Sequence, residues 1–448
     1  FTSTYADMGG AIYLEENANL TISDVDFVSI GTEKSAIFAR KVSGEVVYAE
    51  NSTITLSDAT VTGTVISQAG SLMAFAGASV VTLENVEFVS NTVYSSSATD
   101  GFGLEVEKDV QFSITGGRFA GNVFAKDVIK FADQMGYFVS GVVFEGNEIK
   151  TLTNGILKVT NSNNIIQNCV FRDNTAAGDC AGVFITGNSY SYTITGCTFE
   201  NNQGGTGSAV RVDDNADVKL TLDNCYFVGN MSSGGAVFSK KELLVKNSEF
   251  TNNNSSGNAG AINVEVLTVQ NTIFSGNKAD NNGGAIFISS SSAQALRILD
   301  GETKFISNKA NRGGAIFISS NTGVILEECY FEGNTATSDG GAICNLGSLV
   351  ATGISLIRNT SGTRGGAIYS QGNLSLTGID SNSSIFEGTT RGTSTNGGAI
   401  YVTSENSVAS STYIENVTFG NFAAENGGVM YIAGGYVKIS NSTFGGDN

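Results

Sequence analysis

The ten residues NNGGAIFISS at 281–290 return as NRGGAIFISS at 311–320, and this recurrence constrains the fold more than any other feature of the chain. Gly-Gly-Ala-Ile stands six times, at 9–12, 283–286, 313–316, 340–343, 365–368 and 397–400, with looser forms beginning at Gly234, Ala259 and Gly427. A second phrase, an aromatic followed three residues later by Asn, runs out of step with it, as in FSGN ending at Asn277, FISN at Asn308 and FEGN at Asn334. Its anchors are Phe1, Phe27, Phe88, Phe119, Phe144, Phe171, Phe199, Phe227, Phe250, Phe274, Phe305, Phe331, Phe386, Phe419 and Phe444, with Val61 and Leu356 filling the two gaps. Spacings of 23 to 34 residues are those of a solenoid, in which one small unit is stacked many times.

Each unit contains strands. Before the anchors the sequence alternates apolar and polar, as in LTVQNTIF ending at Phe274, LLVKNSEF at Phe250 and LTLDNCYF at Phe227, which is the period of a half-buried strand. Three residues before the anchor stand Asn, Asp or Gly, among them Asp24, Gly141, Gly196, Asn224, Asn271 and Asn441. These residues tolerate a left-handed backbone, so a bend is expected there. One strand opens with Gly-Gly-Ala-Ile, one reads Leu-x-Val or Leu-x-Leu, and one carries the anchor.

Three short strands joined by bends return the chain to its start one strand spacing higher, about 4.8 Å. The expectation is an all-β chain, a right-handed parallel β-helix (β-solenoid) of about 16–17 coils with three short strands per coil, the hand following from the rule for parallel crossovers. Residues 1–448 are expected to form a single β-helix domain on the order of 80 Å long. Phe1 already occupies an anchor position, so the chain reads as an uncapped segment of a longer or polymerising protein. The 56 glycines and the missing 3.6-residue apolar period exclude a helical repeat.

Stacking puts equivalent residues over one another. The expected phenylalanine stack runs Phe27, Phe88, Phe119, Phe144, Phe171, Phe199, Phe227, Phe250, Phe274, Phe305 and Phe331. Three residues beyond the anchors, an asparagine column runs Asn91, Asn122, Asn147, Asn174, Asn202, Asn230, Asn253, Asn277, Asn308, Asn334 and Asn359. Amides in such a column hydrogen-bond along it, which explains them without a ligand. In the repeated phrase the two glycines turn the chain into the first strand, Ala keeps the corner narrow, and Ile and the following aromatic alternate inward and outward.

Cys169, Cys197, Cys225 and Cys329 stand two residues before an anchor, where other coils have Val25, Val86, Ser248, Thr272 or Ser442, and therefore point inward with the Phe. Stacked thiols and a disulfide between neighbouring coils both fit the spacing. Cys180 and Cys344 lie elsewhere in the coil, and no Cys-x-x-Cys marks a zinc site. The net charge of −18 argues against nucleic acid and anionic membranes as partners. No apolar run is long enough for a spanning helix, so no membrane insertion is expected.

The alternating Gly-Gly-Ala-Ile and Phe-x-x-Asn phrases resemble the repeats of the polymorphic outer membrane proteins of chlamydiae, surface-exposed autotransporter passengers implicated in adhesion. Similar repeats occur in large secreted β-helix proteins of microbial eukaryotes. The resemblance covers nearly the whole chain and implies an extracellular or cell-surface location. No membrane barrel follows the repeat in this sequence.

The best catalytic candidate is RVDDNAD, offering Arg211, Asp213, Asp214 and Asp217, which a polysaccharide-cutting β-helix enzyme could use as base and acid. It is one acidic patch in a uniform array without histidine, and a solvated acidic turn explains it. No catalytic residue, metal or cofactor is therefore assigned. Of ten Asn-x-Ser/Thr sequons, Asn19, Asn373, Asn416 and Asn441 begin a strand or sit at a bend and are expected to be exposed and glycosylated. Asn230, Asn253 and Asn359 fall in the column and are not. The functional expectation is a non-enzymatic structural or adhesive protein, self-associating end to end into a filament, with glycans as a further class of partner. The alternative is a polysaccharide-binding or pectinase-like enzyme.

Overall fold

The computed structural model describes residues 11–28, 44–66, 70–94, 101–132, 136–151, 155–160, 164–215, 217–299, 302–379, 384–388, 394–404 and 410–445. Phe1 and the glycines of the first Gly-Gly-Ala-Ile copy lie outside them. The described residues contain strands and turns and no helix. Two compact units divide the chain, Phe1–Thr221 and Leu222–Asn448. Both are parallel β-helices built to one plan, where the sequence suggested one uninterrupted domain.

The expected bend is present in both units. Asp24, Asn85, Asn168, Asn224, Asn247, Asn416 and Asn441 all have φ between 47° and 55° or close to it, each three residues before an anchor. A second bend, not foreseen, follows two residues after the anchor, at Ser90, Asp173, Asn201, Asn252, Ser307 and Arg358, with φ of 51° to 55°. The anchor strand is therefore short because it is bracketed by left-handed residues. In Glu87–Val89 and Ile273–Ser275, for example, the middle residue alone points into the core.

Register follows the anchors. In the first unit Phe27, Val61, Phe88, Phe119, Phe144, Phe171 and Phe199 pair parallel, each with the next. In the second, Phe227, Phe250, Phe274, Phe305, Phe331, Leu356, Phe386, Phe419 and Phe444 do the same. Anchors from Phe27 to Phe419 are fully buried, whereas Phe444 is half exposed. Stacked rings lie 4.4 Å apart for Phe88–Phe119 and 5.1 Å for Phe250–Phe274, the spacing that parallel strands impose. Beyond the Leu356 gap Phe386 meets Phe419 edge-on at 73°. Besides the three main strands, most coils add a short ladder after the column Asn, such as Thr92–Val93 on Val123–Phe124.

The two glycines of the repeated phrase have different jobs. Gly313 adopts φ 62°, and a Cβ on Gly314 would lie 2.1 Å from the carbonyl oxygen of Gly341 in the next coil. The first glycine supplies a left-handed turn, and the second lets two coils touch backbone to backbone. The Ala and Ile that follow are fully buried, as at Ala315 and Ile316.

Candidate functional site

The asparagine column is a closed hydrogen-bond system. Asn277 donates through Nδ2 to the carbonyl of Phe250 (2.8 Å) and to Oδ1 of Asn308 (3.0 Å). Its Oδ1 accepts from the backbone N–H of Asn253 (3.1 Å) and from Asn253 Nδ2 (2.9 Å). The same pattern joins Asn91, Asn122, Asn147, Asn174 and Asn202 in the first unit. In the second it joins Asn230, Asn253, Asn277, Asn308, Asn334 and Asn359. These side chains are buried, Asn359 at 3% exposure and the others at zero. A saturated, inaccessible amide has no capacity left for a ligand.

The cysteines two residues before the anchors share a role with serine and threonine that the sequence did not disclose. Ser248 Oγ donates to the carbonyl of Lys246 (2.7 Å) and accepts the N–H of Cys225 (3.0 Å). Thr272 and Ser442 make the equivalent donation. Cys169, Cys197, Cys225 and Cys329 place Sγ 3.2 to 3.4 Å from the equivalent carbonyl. Cys169 N–H points to Cys197 Sγ at 3.4 Å. The position takes a small buried side chain, valine in some coils such as Val86 and Val142 and, in these, a group that donates to the carbonyl. All six cysteines are buried, reduced thiols, and burial pushes Cys180 and Cys344 up to about 12.

The RVDDNAD candidate is drawn together differently from the expectation of a solvated turn. Arg211 Nε lies 3.4 Å from Asp179 Oδ2, a carboxylate of the preceding coil, and Nη2 lies 3.6 Å from Asp214 Oδ1. Asp179 also accepts from Thr206 at 3.0 Å, while Asp213 Oδ1 accepts the N–H of Asn215 at 2.8 Å and so caps its own turn. Asp217 is exposed on a different strand. Arg211, with a side chain 13% exposed, is thus a neutralised bridge between coils. Among the described residues no group of three or more His, Cys, Asp or Glu is placed to hold a metal ion.

Two charged clusters escaped the sequence reading. The residues just before Gly-Gly stack as Arg312, Asp339 and Arg364. Arg364 grips Asp339 with two hydrogen bonds of 2.7 Å, and Arg312 Nε lies 3.3 Å from its other face. Both guanidinium groups lie over the outward rings of the repeated phrase, Arg312 at 5.4 Å from Phe317 and Arg364 at 4.7 Å from Tyr369. Cys344 sits between those rings, so Phe317, Cys344 and Tyr369 are buried although they point away from the main core. In the first unit Asp127 is fully buried and accepts the N–H of Gly155 at 2.9 Å. Burial pushes its carboxyl up to about 7 against the pull of Lys158 and Lys130.

Of the four sequons, Asn19, Asn373 and Asn441 are exposed and Asn416 is half-buried, less open than expected. Asn230, Asn253 and Asn359 are buried in the column. Asn373 lies on the rim of a cleft of about 510 Å3 in the second unit. This cleft exists because the turn between the first and second strands changes length. It spans 289–295 in one coil and 319–322 in the next, then two residues each in the following two, Leu346–Gly347 and Gln371–Gly372. The short turns form a floor and the Ser-rich turn 289–295 a wall. Buried Asn345 fixes that floor, accepting from Gly347 N–H (3.1 Å) and donating to the Asn373 carbonyl (2.8 Å). A Cβ on Gly372 would lie 1.7 Å from the Gly347 oxygen.

Stacked coils, parallel register and inward Phe and Asn columns define a parallel β-helix. The chain belongs to the right-handed β-helix family, whose model, a right-handed beta helix region, matches residues 2–211 and 181–297. The repeat of the Chlamydia polymorphic membrane proteins matches residues 328–346, a stretch that contains the Phe331–Asn334 and Gly340–Ile343 phrases. No curated protein matches the chain. Among solved structures, a PL6 family alginate lyase is 10% identical over 98% of this chain and 97% of that chain, with a TM-score of 0.26. A point mutant of the same enzyme aligns over the same shares with a TM-score of 0.25.

Proposed function

We propose that the protein is a non-enzymatic structural or adhesive element of a cell surface or the extracellular space, self-associating end to end through its coils. The observation that carries this reading is the asparagine column, which spends polar side chains at successive levels on holding coils together. Residues that recur in this way serve the stack. The polymorphic-membrane-protein repeat at 328–346 supports a surface location. Self-association rests on the backbone edge: neighbouring coils pair parallel through main-chain N–H and C=O groups, a coil of one molecule can offer the same edge to a coil of another, and a head-to-tail contact of this type propagates as a filament. The Arg211 cluster offers little to the rival enzymatic reading, because its guanidinium is already shared by two carboxylates.

Immunogold labelling of intact source cells tests the location, and electron microscopy of native material tests the assembly. The expected results are surface label and filaments whose axial repeat is a multiple of about 4.8 Å. Label confined to the cell interior, or monodisperse particles at native concentration, would count against the respective part. Release of unsaturated uronides from pectate or alginate by the purified protein would establish the enzymatic reading instead.

A further inference from the structure

We propose that the cleft at the first-to-second-strand corner of the second unit seats a neutral oligosaccharide lying along the column. The lining contains no charged side chain, although the chain as a whole carries −18. It offers hydroxyls and amides from Ser291, Asn321, Ser348 and Asn373 around an apolar patch at Leu346. Sugars are bound in this way, with hydroxyls paired to fixed polar groups and a C–H face laid on carbon. The cleft crosses successive coils, so its polar groups recur about every 4.8 Å, a step similar to one glycosyl unit.

The site is built before any ligand arrives. The two-residue turns of its floor are locked by Asn345, and its wall is braced by Thr322, which donates to the Ser290 carbonyl at 2.7 Å and accepts the Ser290 N–H at 3.0 Å. Pre-organisation of this kind lowers the ordering cost of binding.

Asn373 adds an independent pointer. Its Oδ1 accepts the N–H of Ser411 at 3.0 Å, which fixes the amide plane and leaves Nδ2, the atom that carries an N-glycan, with no hydrogen-bond acceptor among the described residues. The seated glycan therefore has two sources, a chain attached at Asn373 itself or a separate polysaccharide. This inference rests on the surface location proposed above for its biological setting alone, and purified protein tests it separately.

Full-length protein from a non-glycosylating host and from a glycosylating secretory host supplies the two arms. The first is titrated with cellulose-, mannan- and chitin-derived hexasaccharides and with a polygalacturonate hexasaccharide as the charged control. Two variants, Asn321→Gly with Ser348→Ala and the wall-blocking Ser291→Trp, are checked for unchanged Tm. Asn321 is replaced by Gly because its φ is 64°. A separate polysaccharide as ligand gives binding of at least one neutral hexasaccharide, weakened about tenfold or more by each variant. The attached-glycan source gives an occupied Asn373 whose release by endoglycosidase is about tenfold slower than at Asn19 and becomes equal to it in Ser291→Trp. Failure of both results overturns the proposal, as does acidic hexasaccharide binding as tightly as neutral. Binding unaltered by the variants also overturns it.

Discussion

Changing Asn277 to Asp replaces one NH2 group by an oxygen at the centre of the column and leaves the shape of the side chain intact. Asn253 keeps its acceptor, since the retained Oδ1 still faces its N–H and its Nδ2. On the other side the new oxygen meets the Phe250 carbonyl and Asn308 Oδ1, which Nδ2 now approaches at 2.8 and 3.0 Å. Three acceptors then converge with no hydrogen between them. Asn308 Oδ1 keeps the backbone N–H of Asn277 at 3.0 Å, so losing the two side-chain donations costs about 1–3 kcal/mol in all. The ionised carboxyl is also buried without a cation, which raises the pKa of such a group by up to about 3–5 units, or about 4–7 kcal/mol at neutral pH.

The sign follows from the raised pKa. Below the unfolded value of about 4 the side chain is protonated in both states and the charge term vanishes, and one proton even restores one of the two donations. As pH rises from about 4 toward 8 the unfolded state ionises first, and stability falls through that window. Urea unfolding followed by far-ultraviolet circular dichroism at pH 4, 6 and 8 measures it, with exposed Asn281→Asp as the control for the charge change alone. Asn277→Asp is expected to lose about 1–3 kcal/mol at pH 4 and several more at pH 8. A parallel pH dependence for Asn277→Asp and Asn281→Asp would refute the account of the column as a dry, saturated network.

The remaining expectations concern other parts of the stack. Phe274→Ala should cost about 3–5 kcal/mol by opening a cavity between Phe250 and Phe305, whereas Thr268→Ala, at a half-buried outward position, should cost less than about 1 kcal/mol; equal losses in a denaturation series would put the inward assignment out by one residue. Asp127, raised to about 7 from about 4 unfolded, removes stability as pH climbs between those values, so Asp127→Asn should raise Tm at pH 8 and leave it nearly unchanged at pH 4. Asp339→Ala strands Arg312 and Arg364 side by side and should cost about 3 kcal/mol or more in thermal unfolding, with much less lost in Arg312→Lys. In material from a glycosylating secretory host, glycopeptide mass spectrometry should find sugar at Asn19, Asn373, Asn416 and Asn441 and none at Asn230, Asn253 or Asn359.

A stacked fold is unusually readable, because each coil touches its neighbours through equivalent positions and a repeated residue reports its own environment. The strands, the bend three residues before the anchor, the inward Phe and the buried Asn follow from recurrence alone: Phe274 and Asn277 have the same surroundings as Phe250 and Asn253, one coil away. The second left-handed bend carries the same signal, Gly at 121, 146, 229, 276 and 333 and Asn at 201 and 252, but it sits inside the Phe-x-x-Asn phrase, where Ser90, Ser307 and Arg358 interrupt it. Cysteine standing for serine became intelligible once the carbonyl and N–H on either side of it had positions.

What the tertiary structure decided lies where unlike residues are superposed. Arg312, Asp339 and Arg364 occupy one column position but are 27 and 25 residues apart, and nothing in the periodicity says that opposite charges will land on one another above a ladder of rings. Asp179 meets Arg211 for the same reason, across coils and outside any shared phrase. The cleft beside Asn373 comes from differences in turn length, which a repeat pattern averages away. Periodic sequence determines the equivalent positions through local propensity and like-on-like packing, while side-chain partnerships between non-equivalent positions depend on the height and reach of each turn, quantities that exist only once the coils are stacked.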